Sequence, residues 1–256
     1  MDDDLIACAR IVERGDPDRF AAVMAAPVAA RAVLFPLYAF NVEVARAPWV
    51  TAEPMIAEMR LQWWRDALAE IGSGGVVRRH EVVTPLAHVL DAKAAALLDQ
   101  LVAARRWDIG REAFDDAGAF ESYLEASSGH LLWVAVRALG GGDEGVVRDA
   151  GYALGLANWL RAVPALEAAG RLPLVDGRPE AVRALAGAGL ERLGRARAAR
   201  GKIAPAARPA MLAVWQAGAV LRRAQAAPAR VAQGQLQGAP LARRLGLMLR
   251  AASGRW

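Results

Sequence analysis

The sequence predicts an all-α protein, a single-domain helical bundle of about ten helices spanning residues 1–256. Three observations carry that prediction. Apolar residues recur at helical spacing almost throughout, while β-branched runs are short and no Asn-Gly or Asp-Gly turn sits between alternating strands. Glycines and prolines fall in short clusters that punctuate helices. No internal repeat and no long linker divides the chain, and 256 residues at 55% hydrophobic are enough for one deep core.

The elements follow in order. Asp16-Pro17 reads as a cap followed by proline at the first helical position. A long helix over 28–46 ends before Pro48. Thr51 caps the next helix, which tolerates Pro54 in its first turn and runs to about Ile71, before a loop at Gly72-Ser73-Gly74-Gly75. Thr84-Pro85 opens another helix, and helical segments continue through 98–106. Residues 117–139 read as one helix closed by Gly140-Gly141-Gly142. Asp143 starts a helix that reaches Ala162 and stops at Pro164. A loop follows at Gly170-Arg171-Leu172-Pro173-Leu174, with Asp176-Gly177 beyond it. Helices then cover 179–200, 208–226 and 240–252, separated by Pro205, Pro209, Pro228 and Gly238-Ala239-Pro240.

The net charge of +5 is unevenly spread. No Asp or Glu follows Glu191, and Arg192 to Trp256 carries 13 Arg or Lys. The first 191 residues hold 27 acidic and 19 basic groups, a net of −8. A basic stretch over 192–256 suits an anionic membrane surface or an acidic protein; the plainer alternative is a solvated, compositionally biased face. Nucleic acid is not expected as a partner, because no recognised binding motif accompanies the charge. Cys8 is the only cysteine, so there is no disulfide framework and no thiolate cluster. His80, His88 and His130 lack zinc spacing. The longest uncharged apolar stretches, near 32–42 and 209–221, fall short of the ~18–20 residues that span a bilayer. The acidic start, Met1-Asp2-Asp3-Asp4, argues against a secretory signal and a mitochondrial presequence. The expectation is a protein of the bacterial cytoplasm, peripheral on the inner membrane, with no signal peptide and no transmembrane helix.

Arg31, Tyr38-Ala39-Phe40, Leu61-Gln62-Trp63-Trp64-Arg65, then Leu154-Gly155-Leu156-Ala157-Asn158-Trp159-Leu160-Arg161 and Gly170-Arg171-Leu172-Pro173-Leu174 occur in that order. Their order and spacing resemble the squalene/phytoene synthase family from about Phe20 onward, with gaps. The resemblance implies an isoprenoid-synthase-like bundle. In catalytic members of that family, an aspartate-rich motif just after Tyr-Ala-Phe holds magnesium against a prenyl diphosphate. A second such motif follows the arginine corresponding to Arg161, with aspartate next and a further acid one turn later. The chemistry needs them: a multiply charged leaving group in an apolar pocket must be bridged to the protein by hard cations with oxygen ligands. Carboxylates one helical turn apart share a face and can hold such an ion. Here Asn41-Val42-Glu43-Val44-Ala45-Arg46-Ala47-Pro48-Trp49 has one acid and no aspartate. The second stretch is Arg161-Ala162-Val163-Pro164-Ala165-Leu166-Glu167, where both aspartates are absent and Pro164 is expected to cut the presenting helix.

The resemblance therefore implies no catalytic residues and a vestigial pocket whose candidates are Arg31, Tyr38, Asn41, Glu43, Tyr123, Asn158, Arg161 and Arg171. Such residues either grip another anion or buttress the helices. No metal site is expected; Glu43 and Glu167 are the only candidates for a remnant cation, and Glu43 reads otherwise as a solvent-facing or ion-paired helix residue. Asp66 and Glu70, beside Arg65, read as a surface charge face. Ser128 and Gly129 let helices approach closely, and His130 reads as a helix-surface or hydrogen-bonded residue. Trp63 and Trp64 cannot share one helix face, so one is expected in the core and the other nearer the rim.

Asn41-Val42-Glu43-Val44-Ala45, Leu61-Gln62-Trp63-Trp64-Arg65 and Leu160-Arg161-Ala162-Val163-Pro164 are similar to one branch of the family. It comprises the phytoene-synthase-like assembly factors of respiratory complex I. That similarity implies a catalytically inactive prenyl-synthase homologue, without a cofactor, acting in assembly of NADH:quinone oxidoreductase at the inner membrane face. Its partner would be a complex I subunit or assembly intermediate. Two alternatives stay open: a squalene/phytoene synthase-type prenyl transferase, which needs magnesium on other carboxylates, and a protein that binds an isoprenoid without turnover.

Overall fold

The computed structural model describes residues 3–51 and 53–256. Of the acidic start, Met1 and Asp2 lie outside the described residues; Asp3 and Asp4 open the first helix. The α-helices are α1 (Asp3–Gly15), α2 (Pro17–Ala25), α3 (Val28–Arg46), α4 (Pro54–Ser73), α5 (Val83–Ala87), α6 (Ala92–Ala104), α7 (Ala117–Leu124), α8 (His130–Ala138), α9 (Glu144–Ala168), α10 (Pro179–Ala198), α11 (Arg208–Met211), α12 (Ala217–Ala226), α13 (Ala229–Ala232) and α14 (Pro240–Ser253). No strand is present among the described residues; Gly142 and Ile203 form one isolated antiparallel bridge. The excess over ten helices comes from short pieces and from splits within longer runs.

Aspartates open four of these helices by accepting a backbone N–H three positions on, which satisfies a donor the helix itself cannot. Asp16 accepts from Arg19 N, Asp91 from Ala94 N, Asp116 from Ala119 N and Asp143 from Val146 N. Two sequence expectations at helix starts shift. Glu53, not Thr51, occupies the cap of α4, and Thr51 instead accepts from Glu53 N at 3.1 Å. Thr84 lies inside the first turn of α5, where its hydroxyl accepts from His80 N.

The expected break at Pro164 is not there. Helix α9 continues through it to Ala168. A proline in a helix interior forfeits one hydrogen bond and crowds the carbonyl four residues back. Burial of Val163 and Leu166 on either side of it holds the helix despite that cost. Helix α3 likewise runs through Pro36 between buried Leu34, Phe35 and Leu37. The run 117–139 is continuous but contains a π-helical turn, Glu125–Gly129, between α7 and α8. The run 208–226 breaks at a 3₁₀ turn, Leu212–Val214.

Helix α3 is the axis of the core: Leu34, Phe35, Leu37, Tyr38 and Phe40 are all at most 1% exposed. By length and composition, Val28–Trp49 is apolar enough to cross a bilayer, longer than the stretch the sequence singled out, yet 61% of that window is buried within the fold. Trp64 is buried and Trp63 half-buried, where it stacks under Arg78. Helix α9 packs against α8, α10, α12 and the π turn. The π turn approaches so closely that a Cβ on Gly151 would sit 2.8 Å from the Gly129 backbone, and one on Gly155 would sit 2.8 Å from Ser128 Cβ. Ser128 Oγ donates to the Gly151 carbonyl at 2.8 Å across that contact. Ser128 and Gly129 thus act as the sequence suggests, against two glycines it did not single out.

His130 is buried at 8% exposure rather than lying on a helix surface. Burial lowers its pKa, opposed by a backbone bond at Leu97. A histidine held neutral in the fold but free to protonate when unfolded makes stability fall with acid. The loss begins as pH drops through the unfolded value near ~6.5 and is complete below the folded value. Urea unfolding is expected to show lower stability at acid than at neutral pH, and His130→Gln should flatten that dependence. An unchanged slope in the variant would assign it elsewhere.

Candidate functional site

A cleft of about 700 Å³ opens between the C-terminal half of α3, the start of α2, the π turn and α9. Helix α3 and the turn after it contribute Asn41, Val42, Ala45, Arg46 and Trp49. Helix α9 contributes Gly155, Asn158, Trp159, Arg161, Ala162, Ala165 and Leu166 along one face. The start of α2 supplies its cap Asp16 together with Asp18 and Arg19, and the 3₁₀ turn after α6 supplies Arg105 and Asp108. The volume falls in the range of small-molecule sites.

The two degenerate motifs face this cleft. Ala45 and Trp49 come from the first, and Ala162, Ala165 and Leu166 from the second. The continuity of α9 through Pro164 keeps the second stretch helical; what it presents is alanine and leucine instead of carboxylate.

Three aspartates remain in the lining, and each is already neutralised. Asp16 pairs with Arg19 at 2.6 Å. Asp18 accepts from Arg161 at 2.8 Å and also from Arg243 of α14. Asp108, 3% exposed, accepts from Tyr123 Oη at 2.8 Å and from Arg105 at 3.2 Å, while Arg105 also donates to Tyr123 Oη at 2.7 Å. Burial raises the Tyr123 phenol well above its ordinary range, so it stays a neutral donor. Arg171 bonds the Asp108 carbonyl and stacks on Trp49, 4.3 Å from the ring centroid. Beneath this network Trp107 and Phe114 stack at 4.0 Å, with Phe120, Tyr123 and Trp159 edge-on or tilted around them.

These residues do not fit a magnesium–diphosphate cluster. Such a site needs several carboxylates converging with free lone pairs. Among the described residues no group of three or more Asp, Glu, His or Cys is placed to hold a metal ion, and the aspartates at hand spend their oxygens on arginine.

The residues singled out in the sequence divide. Asn41, Tyr123, Asn158 and Arg161 line the cleft. Asn41 is 6% exposed and its Oδ1 has no partner. Arg171 stands behind Trp49. Tyr38 is outside the lining, buried under Arg19 with its centroid 5.3 Å from the guanidinium, and burial pushes its phenol up to about 12. Arg31 donates to the Met24 carbonyl at the end of α2 and acts as a helix clamp. Glu43 pairs with Arg46 at 2.9 Å and Glu167 is exposed; neither lines the cleft, so they do not meet across it. Asp66 takes a bond from Gln62 and Glu70 pairs with Arg78, a surface arrangement. The sequence reading missed Asp18, Arg19, Arg105 and Asp108. Only Asp16 carried a signal, as a helix cap; the Arg19–Asp16 and Arg105–Asp108 pairs are local, while Asp18 meets Arg161 and Arg243, and Asp108 meets Tyr123 and Arg171, across the chain.

The squalene/phytoene synthase family model matches residues 12–175. Among curated proteins, a 167-residue segment is 29% identical to a Drosophila melanogaster protein described as a homolog of NADH dehydrogenase (ubiquinone) complex I, assembly factor 6, covering 61% of this chain and 50% of that one. The Homo sapiens assembly factor 6 is 24% identical over 172 residues, covering 61% and 48%. The chain thus spans about half the length of the curated relatives it matches. Among solved structures, a dehydrosqualene synthase in complex with ligand superposes with a TM-score of 0.77 at 15% identity, over 98% of this chain and 95% of that one. The squalene synthase HpnC from Alicyclobacillus acidocaldarius gives 0.70 at 18% identity, over 90% and 94%. At these identities the likeness establishes the all-helical synthase fold.

Proposed function

The chain belongs to the squalene/phytoene synthase family, and from that premise we propose that it is a member without prenyl-transfer activity that serves the assembly of respiratory complex I at the membrane face. One observation carries the proposal: the two cleft walls offer Ala45, Trp49, Ala162, Ala165 and Leu166 where diphosphate-ionising chemistry needs carboxylates. The assembly role is supported by the names of the curated relatives and by the Asn41-Val42-Glu43 and Leu160-Arg161-Ala162-Val163-Pro164 stretches. The partner is a subunit or intermediate of the NADH:quinone oxidoreductase.

Two measurements test it. Purified protein given farnesyl or geranylgeranyl diphosphate with magnesium is expected to release no pyrophosphate above a protein-free blank; turnover would revive the prenyl transferase alternative. Deleting the gene is expected to lower membrane NADH:quinone oxidoreductase activity and the amount of assembled complex, both restored by the intact gene. Unchanged assembly in the deletion strain would remove the role.

A second reading, isoprenoid binding without turnover, is favoured by the size of the cleft and by Asn41 Oδ1, buried there without a partner. Mass spectrometry of a lipid extract from the purified protein separates it from a pure scaffold: a bound isoprenoid supports it and an empty extract leaves the scaffold.

A further inference from the structure

Helix α14 is turned inside out relative to an ordinary surface helix. Its charged Arg243 points into the body, bonding Asp18 and Gln216 at the cleft rim, and Leu247 is the only one of its side chains that is buried. The opposite face carries Leu241, Leu245, Met248 and Leu249, which are 74, 60, 66 and 71% exposed. At 100° per residue these four positions share one charge-free arc, with Arg244 on its flank. A soluble bundle normally buries such a stripe.

The surroundings of that stripe are cationic. No acid follows Glu191, and the ion pairs of the region engage Arg192, Arg195, Lys202 and Arg243. Arg222, Arg244 and Arg250 have no carboxylate partner among the described residues, while Arg197 Nε donates to Trp256 O at 2.9 Å. Three of these crowd together. A Cβ on Gly218 would meet both Arg197 and Arg222, and the Arg197 pKa is lowered by burial and then by the like charges of Arg250 and Arg222. Arg244 flanks the aliphatic stripe, and Arg197, Arg222 and Arg250 gather behind it, so this strongly amphipathic helix in a cationic setting matches a surface that is apolar below and anionic above.

We propose that α14 is a membrane-docking helix that lays Leu241, Leu245, Met248 and Leu249 into the interfacial layer of an anionic bilayer while the neighbouring arginines hold lipid phosphates. The occupant is lipid because the stripe is purely aliphatic and α14 itself carries arginine and no acid, the complement of a continuous anionic surface rather than of a patterned protein face. Asp18 ties this helix to the cleft, since it accepts from both Arg243 and Arg161. The inference rests on this surface alone and holds whether or not the chain acts on complex I.

The test is sedimentation of the full chain with vesicles of mixed phosphatidylglycerol and phosphatidylcholine, against phosphatidylcholine alone. Binding is expected only with the anionic lipid, weakening with salt. Leu245→Glu with Leu249→Glu should lower it about tenfold or more at unchanged melting, because both side chains are exposed. Arg222→Gln with Arg244→Gln should remove the preference for anionic lipid. Cys8 is fully buried and its thiol is pushed up to about 12 by desolvation, so Leu245→Cys takes a polarity-sensitive dye at that one place. The dye should shift blue on the anionic vesicles. No binding by the native chain, binding indifferent to the paired glutamates, or a dye that shifts with protein-bearing membranes but not with lipid vesicles would each overturn the proposal, the last by reassigning the face to a protein partner.

Discussion

Trp159→Ala is expected to destabilise the protein by about 3–5 kcal/mol, the range for removing a large aromatic from a packed core. Trp159 is 7% exposed and its ring lies 5.1 to 5.6 Å from Tyr123, Trp107, Phe114 and Phe120. Its Nε1 donates to the Pro173 carbonyl at 2.8 Å, which ties the loop after α9 to the cleft wall. Alanine therefore opens a cavity beneath four rings and orphans a buried acceptor. For a chain of this size each kcal/mol moves the melting temperature by about 2–4 °C, so the transition should fall by several degrees at least. Trp159→Phe keeps an aromatic in place and loses only the donor and part of the volume; about 1–3 kcal/mol is expected. Thermal and urea unfolding followed by circular dichroism read both. A loss under about 1 kcal/mol for alanine would mean that the five rings are not packed as a unit.

The sequence exposed what repeats locally and hid what closes at a distance. Helix α3 was legible to the residue, from Val28 to Arg46, because its apolar run and the proline after it are contiguous. The caps at Asp16 and Asp143 were legible for the same reason. Pro164 misled because a local penalty of a few kcal/mol was read without the packing that outweighs it: α9 is gripped by neighbours over its whole length. The π turn escaped because one extra residue in a helix leaves the apolar spacing nearly intact. In the cleft, the lack of aspartate over 41–49 and 161–167 was legible, since it is a matter of sequence alone. The charge satisfaction was not. Asp18 pairs with Arg161 and Arg243, 143 and 225 residues away, and nothing local in Pro17-Asp18-Arg19 marks it. Arg31 and Tyr38 sit beside the motifs yet serve packing, since facing a cleft depends on helix rotation that sequence adjacency does not fix.

Asp108→Ala should also cost about 3–5 kcal/mol, for an electrostatic reason. Removing this carboxylate leaves the Arg105 guanidinium, whose Nε already lacks a partner, facing the Tyr123 hydroxyl as its one remaining side-chain hydrogen bond among the described residues. An uncompensated buried cation is costlier than the pair was favourable. Replacing both partners, Arg105→Met with Asp108→Leu, removes the charges together and should return stability to within about 1–2 kcal/mol of the native chain. Tyr123→Phe in the native background should cost about 1–2 kcal/mol, because it orphans an oxygen of Asp108. A double variant no more stable than Asp108→Ala alone would show that the three groups do not act as one network. The same double variant also separates scaffold from anion grip. The Arg105 and Asp108 charges pair with each other within the protein, so a folded chain lacking both is expected to restore NADH:quinone oxidoreductase assembly in the deletion strain. Failure of that folded variant to restore it would mean that Arg105 reaches beyond Asp108 to something the protein must hold.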